Sequence, residues 1–357
     1  MNQCTKGQAI SQDREDNMLN IIGYDLLGKG NEGIRYAWGN DRFKNYVESA
    51  AFTNRSKGKD EGICGYTTSV SSGCVLRTMG QQCLFCRTGN NLPFGGFLSY
   101  KEIAKQNVFM VLTDMYCTDH PELANKEREF AYMGQGEPGY SYSQVRMAIE
   151  LTNSIMKDLG QKVHRHIFAT CGILEAIKSY VDDIKNFYTE KVTLHLSLHA
   201  ANERSLLMPI NTTYPLNELI SIINTVYDIS QEKPCVGIML FNQFSPKGKE
   251  FTYTNSLENV IEILERLDAK KCRLSFCEYN PSSELGSAEE YPSIKITQLL
   301  DHASAMGFEA KFFSSFGAEK QTACGMLGGK DPERKVLNKW IELEKVANEL
   351  IVKHTVF

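Results

Sequence analysis

The chain has 357 residues, 42% apolar and 23% charged, which excludes wholesale disorder, and its 27 glycines exclude a collagen-like repeat. Lys and Arg number 39 against 43 Asp and Glu, a net charge of −4, so a broad phosphate-binding surface is not expected, though a local basic groove is compatible. No apolar run approaches the ~18 residues of a membrane span, and the N-terminus MNQCTKGQAISQDREDN lacks the apolar core of a secretory signal, so a cytoplasmic protein without membrane association is expected.

In chain order, residues 1 to about 30 lack periodicity and read as a loose lead-in. Short apolar pieces between Ile34 and Phe52 flank the turn formers Gly39, Asn40 and Asp41 and predict a β-hairpin. Residues 53–62 form a polar loop. Strand-like and helix-like segments then alternate. FAYMG (130–134) predicts a strand, and Val145 to Leu159 a helix stopped by Gly160. HIFAT (166–170) and VTLHLSLHA (192–200) follow as strands, and Pro215 opens a helix carrying Leu216 to Val226. CVGIMLF (235–241) is a strand, and Asn255 with Glu258 suggests a capping box before the next helix. RLSFCEYN (273–280) and EAKFFSS (309–315) are strands on either side of a helix from Pro292 to Met306, and Pro332 to Val352 reads as a terminal helix. Repeated β–α units predict a mainly parallel sheet, open and doubly wound or rolled into a barrel, with chemistry at the C-terminal strand ends. Three regions are expected: 1–62 as lead-in and hairpin extension, 63–330 as the core, 331–357 as the terminal helix.

In the strand from Val192, strict alternation puts Thr193, His195, Ser197 and His199 on one face. A polar face on a parallel strand points to a polar cavity; the alternative is an edge strand wet on one side.

Eleven cysteines in a cytoplasmic chain read as thiols, metal ligands or catalytic groups rather than as disulfides. Cys74, Cys83 and Cys86 fall within thirteen residues of one loop. Three thiolates there suit three irons of a 4Fe–4S cluster, leaving the fourth iron open. Competing readings are a zinc site lacking its fourth ligand, a thioredoxin-type C-x-x-C pair, and buried structural cysteines. Gly134-Gln-Gly136-Glu-Pro-Gly139 matches the dinucleotide fingerprint, but Glu137 would oppose a pyrophosphate, and the next strand, ending at Ala169–Thr170, lacks the ribose-binding acid. A glycine-flanked carboxylate suits a cationic group, such as an α-amino group, better; a plain strand-to-helix turn is the other reading.

Together these segments resemble the radical S-adenosylmethionine (radical SAM) enzymes, and most closely the RlmN/Cfr family of RNA adenine methyltransferases, from about Asn31 to Leu327. NYVESAAF (45–52) resembles the family's strand with a glutamate near the substrate adenine, here Glu48. SSGC followed by CLFCRTG (83–89) resembles its cluster loop, which implies Cys74, Cys83 and Cys86 as cluster ligands and Phe85 beside the cofactor. MGQGEP (133–138) resembles M-G-M-G-E-P, implying that Gly136 and Glu137 meet the methionine part of SAM. LSLHAANE (196–203) and PINTTYPL (209–216) imply Ser197 and His199 as cofactor contacts, and EYNP (278–281) puts Asn280 near the SAM ribose or adenine. TACGML (322–327) resembles A-C-G-x-L, whose cysteine carries the transferred methyl group, here Cys324.

The resemblance implies a partial (β/α)6 barrel with an open side, a 4Fe–4S cluster binding SAM at its unique iron, and reductive cleavage to a 5′-deoxyadenosyl radical. It implies methylation of Cys324, hydrogen abstraction from its S-methyl group, and addition to an sp2 carbon of adenine in ribosomal or transfer RNA. Flavodoxin or ferredoxin is the implied electron donor. Four departures stand out. Eight residues separate the first two cluster cysteines where the family has three. Thr67 stands where the resolving cysteine is expected, and Cys64 is the nearest substitute. Ala169 replaces a serine that contacts SAM, with Thr170 beside it. Only about thirty residues precede the hairpin, where the family has a helical RNA-facing domain. A diverged radical SAM enzyme acting on a small molecule or peptide is therefore the alternative, with a zinc-binding or non-catalytic barrel and a nicotinamide dehydrogenase behind it.

Overall fold

The computed structural model describes residues 18–28, 33–52, 62–117, 121–199, 203–212, 214–313, 326–328 and 331–355. Its strands, in chain order, are β1 (Asn20–Leu27), β2 (Gly33–Gly39), β3 (Val47–Phe52), β4 (Ile63–Thr67), β5 (Ser71–Ser72), β6 (Gly96–Phe97), β7 (Glu127–Tyr132), β8 (Val163–Thr170), β9 (Val192–Ser197), β10 (Cys235–Leu240), β11 (Gln243–Pro246), β12 (Tyr253–Thr254), β13 (Arg273–Glu278), β14 (Gly286–Glu289), β15 (Ala310–Phe313) and β16 (Arg334–Lys335). The helices are α1 (Arg87–Asn91), α2 (Tyr100–Tyr116), α3 (Tyr142–Asp158), α4 (Leu174–Asn186), α5 (Arg204–Leu207), α6 (Leu216–Ser230), α7 (Leu257–Glu265), α8 (Ser293–Ala305) and α9 (Asn338–Thr355).

Eleven strands form one sheet in the order β15-β13-β10-β9-β8-β7-β4-β3-β2-β1-β16. From β4 to β15 each pairing is parallel. Each new parallel strand is added beside the last without the reversal of a doubly wound sheet, so that all the C-terminal ends lie along one rim. The predicted hairpin is present as β2 and β3, and it continues the same sheet by antiparallel pairing onto β4.

The expected lead-in is corrected: Asn20–Leu27 is a strand, paired to β2 on one side and β16 on the other. A bulge between Ile21 and Gly23 breaks the alternation that would have marked it. The terminal helix starts at Asn338 rather than Pro332, because Arg334 and Lys335 are extended on β1. The cap of α7 is Ser256, whose hydroxyl accepts from Asn259 N; Asn255 instead turns its amide to the carbonyls of Met239 and His199.

α2 is absent from the periodicity because it is buried on nearly every side, so no polar stripe marks it. Phe109 packs against Tyr36 and Trp38 of β2 and against Trp340 of α9. Ser99 and Glu102 form its capping box.

The polar face of β9 is explained by position. β9 is paired to β8 and to β10, so it is not an edge strand, and Thr193, His195 and Ser197 share one face of the sheet. Arg165 and Arg273 share that face and hold the buried His195 imidazole, already pushed down by desolvation, at about 4. Among the described residues no helix is long and apolar enough to cross a membrane.

Candidate functional site

The cysteine loop is built by local backbone bonds. Gly73 enters it at φ +71, where an added Cβ would lie 2.5 Å from the Pro93 carbonyl oxygen. After Cys74 the chain coils into a 3-10 turn at Val75–Arg77. Thr78 N donates to Val75 O at 2.9 Å, and Gln81 N donates to Leu76 O at 2.8 Å. The eight intervening residues thus fold back on themselves and return the chain toward its start. Asn90 then ties the C-x-x-C segment, its amide donating to the carbonyls of Cys83 (2.8 Å) and Cys86 (2.7 Å).

The three thiols share one environment. Burial pushes the Cys74 thiol up to about 12, with a further push from Cys86. Burial raises Cys83 well above the ordinary thiol range, and Cys86 and Cys74 raise it further, while Arg204 pulls it down. Cys86 is raised by burial against the pull of the Gly89 and Thr88 backbone N–H groups. Among the described residues no three His, Cys, Asp or Glu side chains are arranged to hold a single metal ion. Ligands of an iron–sulfur cage bind different irons and so stand further apart than ligands of one ion. Three desolvated thiols acting on one another fit such a cationic group, which would deprotonate them on binding.

The glycine-flanked motif lies at the next strand end. Gly136 has φ +103, and a Cβ there would overlap the Ser71 hydroxyl. Glu137 is buried, at 5% exposure, and accepts from Thr170 Oγ1 (2.5 Å), Gly139 N (2.9 Å) and Cys171 N (2.9 Å). Desolvation nevertheless raises its carboxyl above the usual range, outweighing these bonds. A buried carboxylate that its donors do not fully compensate is suited to a cation. Thr170 thus occupies the polar position beside Ala169, but its hydroxyl is spent on Glu137.

Facing the cysteine loop, β9 ends and His199 takes φ +61. Its ring meets Phe85 edge-on at 5.2 Å, and its Nδ1 is buried without a hydrogen-bond partner. Burial, with Arg204 beside it, pushes the imidazole down to about 3, so it is neutral. Ser197 closes β9, and its carbonyl accepts from Arg204. Asn280 follows Tyr279 just beyond the end of β13, next to a cleft lined by Leu240, Tyr279, Pro281, Tyr291 and Phe312.

Glu48 on β3 is 1% exposed and its carboxylate is engaged on both oxygens, by Arg35 and by Gln135 Nε2 at 3.0 Å. Cys64 is not brought to this group. It lies with Tyr66 on the face of β4 that packs on α2, where burial and Asp114 push its thiol up to about 11. Cys324 lies outside the described residues, but the chain just after it is held at the cysteine loop: Leu327 O accepts from Thr88 Oγ1 at 2.6 Å.

Two residues escaped sequence reasoning. Arg204 on α5 is buried, and its guanidinium donates to the carbonyls of Leu198 (2.8 Å), Ser197 (3.1 Å) and Cys171 (2.7 Å), tying two strand ends together. Cys171 is buried between Glu137 and Cys83. Arg204 follows the L-S-L-H-A segment closely enough to have been flagged; Cys171 carried no spacing signal.

No family model matches the chain. Among curated proteins it is 26% identical over 272 residues to the probable dual-specificity RNA methyltransferase RlmN of Malacoplasma penetrans, covering 74% of this chain and 68% of that protein. It is 26% identical over 287 residues to RlmN of Pseudomonas fluorescens (78% and 66%), and 28% identical over 297 residues to RlmN of Paramagnetospirillum magneticum (81% and 59%). The chain thus spans about two thirds or less of the length of these relatives. Its fold matches a radical SAM methyltransferase from Sphaerobacter thermophilus with a TM-score of 0.70 at 20% identity, covering 88% of this chain and 82% of that one. The ordered motifs and the curated relatives make this chain similar to the RlmN/Cfr-like radical SAM enzymes, and it shares the fold of a radical SAM methyltransferase.

Proposed function

We propose that the chain is a methyltransferase of the RlmN/Cfr type, which methylates an sp2 carbon of an RNA adenine through a methylated Cys324. One observation carries the reading. Cys74, buried, and Cys83 and Cys86, half-buried, sit together on a loop that also holds Leu327, three residues past the carrier position. The one-way strand order supports a partial (β/α)6 barrel, open where β15 ends the sheet. When bound to the three thiols, a 4Fe–4S cluster with SAM supplies one-electron reductive cleavage.

The chain's own residues bind and orient. Glu137 takes the α-ammonium of SAM, for which its raised carboxyl is poised. Gly136 leaves room for the methionine part, and Phe85, Ser197, His199 and Asn280 line the remainder of the cofactor's path. His199 presents a buried, neutral nitrogen with nothing yet bonded to it. Glu48, paired with Arg35, is an acceptor on the substrate side. A cytoplasmic setting and a small electron-transfer protein such as flavodoxin or ferredoxin complete the reading.

The test is anaerobic incubation with SAM and a reductant. It should yield 5′-deoxyadenosine and a mass increase of one methyl group on Cys324. Alanine at Cys74, Cys83 or Cys86 should abolish iron and sulfide binding. An unmodified Cys324 under conditions that cleave SAM rejects the carrier step.

A second reading, a small-molecule or peptide substrate, is favoured by the closure around Glu48. Its carboxylate is 1% exposed, and the Asp331 carbonyl accepts from Arg35 beside it. Salt-dependent RNA binding separates the two, since phosphate contacts dominate RNA affinity.

A further inference from the structure

We propose that Gln135 is a positioning residue that holds Glu48 in register with the cysteine loop. The inference rests on the reading above, in which Glu48 faces the substrate and the loop carries the cluster.

In the resembled motif M-G-M-G-E-P a methionine, which has no hydrogen-bond donor, occupies this position. Here Gln135 is fully buried. A buried amide is costly unless bonded, and this one is bonded at both ends. Its Nε2 donates to Glu48 Oε2 at 3.0 Å and to the Tyr46 carbonyl at 3.1 Å. Its Oε1 accepts from Gly73 N at 3.3 Å, one residue before Cys74. Both amide protons are therefore used on the β3 side and the oxygen on the loop side.

The backbone repeats the link. Gln135 N donates to Ser69 Oγ at 2.7 Å, and the same hydroxyl donates to the Glu48 carbonyl. Val70 N donates to Gln135 O at 3.0 Å. Glu48 is thus gripped at its carbonyl by Ser69 and at its carboxylate by Gln135 and Arg35; Arg35 is itself paired with Asp25. One side chain, lying between Gly134 and Gly136 of the cofactor motif, ties the substrate-side carboxylate to the entrance of the cysteine loop.

Gln135→Glu separates the two ends of the amide. Glu at 135 can still accept from Gly73 N, but it donates to Glu48 only when protonated. Two buried carboxyls in contact share one proton, so the pair's apparent pKa is raised. Among the described residues, Arg35 is the charged group paired with Glu48, and Asp25 is paired with Arg35 in turn.

Two measurements test this. In unloaded protein, infrared spectroscopy of Gln135→Glu should show a carboxylic-acid band that persists above the ordinary carboxylate range and is absent from wild type and from the E48Q/Q135E double variant. In loaded protein, substrate methylation by Gln135→Glu should match wild type at low pH and fall about tenfold per pH unit above the pair's apparent pKa. Iron content and the SAM-induced change in the cluster's EPR signal should stay at wild-type values. Gln135→Met, which cannot clash electrostatically, should raise the substrate KM while leaving methyl loading of Cys324 unchanged.

A missing band overturns the contact. A band with an unmoved pH profile leaves Gln135 a structural tie and overturns the positioning role. If Gln135→Glu does not fold, an unchanged substrate KM in Gln135→Met overturns it as well. Wild-type protein that binds no iron refutes the underlying reading instead, before any variant is compared.

Discussion

Thr170, the last residue of β8, donates its hydroxyl to the carboxylate of Glu137 at 2.5 Å, joining two neighbouring strand ends at the rim. Its oxygen also accepts from Gly172 N at 3.1 Å and Ile173 N at 3.3 Å. A single hydroxyl thus holds the turn that leads into α4 and orients the carboxylate proposed for the SAM ammonium.

Thr170→Val keeps the shape and removes the donor. A hydrogen bond to a charged group contributes about 1.5–3 kcal/mol. Without it the Glu137 carboxyl, already raised by burial, rises further and ionises less readily. Anaerobic equilibrium dialysis should show SAM affinity falling by roughly 10- to 100-fold, with Thr170→Ser close to wild type. Unchanged affinity in Thr170→Val would remove Glu137 as the ammonium site.

Gly136→Ala should be damaging for a different reason. The position has φ +103, and the new methyl would meet the Ser71 hydroxyl and lie 2.9 Å from Val70 Cγ2. Backbone strain at such an angle is of order 1–3 kcal/mol before the clash is counted. Thermal unfolding should shift down by several degrees, and SAM binding should weaken together with it. An unshifted melting curve would show that β5 yields to the methyl.

Cys64 is placed for packing rather than for exchange. Its thiol, pushed up to about 11, is protonated at neutral pH, and it faces α2 rather than the inner face shared by Arg35 and Glu48. Cys64→Ala should therefore keep methyl transfer near the wild-type rate and lower stability by about 1 kcal/mol, the cost of a small cavity. Accumulation of a covalent protein–substrate adduct in this variant would restore Cys64 as the resolving group.

Asp114 supplies a pH signature for the fold. Burial raises its carboxyl from 3.8 to about 6, against the opposing pull of Tyr66 and Arg128. An acid raised in the folded state stabilises fully below its unfolded value and loses that contribution as pH rises through its folded value. Asp114→Asn removes the titration while keeping an acceptor for Tyr66. Between about pH 4 and pH 6 the variant should gain stability relative to wild type, by up to about 3 kcal/mol. Chemical denaturation at a series of pH values measures it; parallel curves would mean that Asp114 titrates normally.

The chain order of strands from FAYMG to EAKFF was legible because parallel core strands are short apolar runs bounded by turn residues, and the amphipathic helices α3 and α6 show their stripes. α2 was not legible, because a helix buried on all sides loses the contrast that periodicity needs. β1 was not legible, because its bulge shifts the alternation at Gly23. The polar face of β9 was visible as a pattern, but only its two paired neighbours decide that it does not belong to an edge strand.

The sequence by itself determined the chemistry on offer: three thiols within thirteen residues, a carboxylate between glycines, and the motifs in family order. These depend on residue type and local spacing, which the chain carries directly. Only the tertiary structure decided which groups meet. The stretched cysteine spacing is absorbed by a 3-10 turn, Cys64 falls on the outer face of β4, and Arg35 and Gln135 close on Glu48. Such contacts join segments tens of residues apart, and strand register and side-chain burial, not sequence neighbours, fix which of them form.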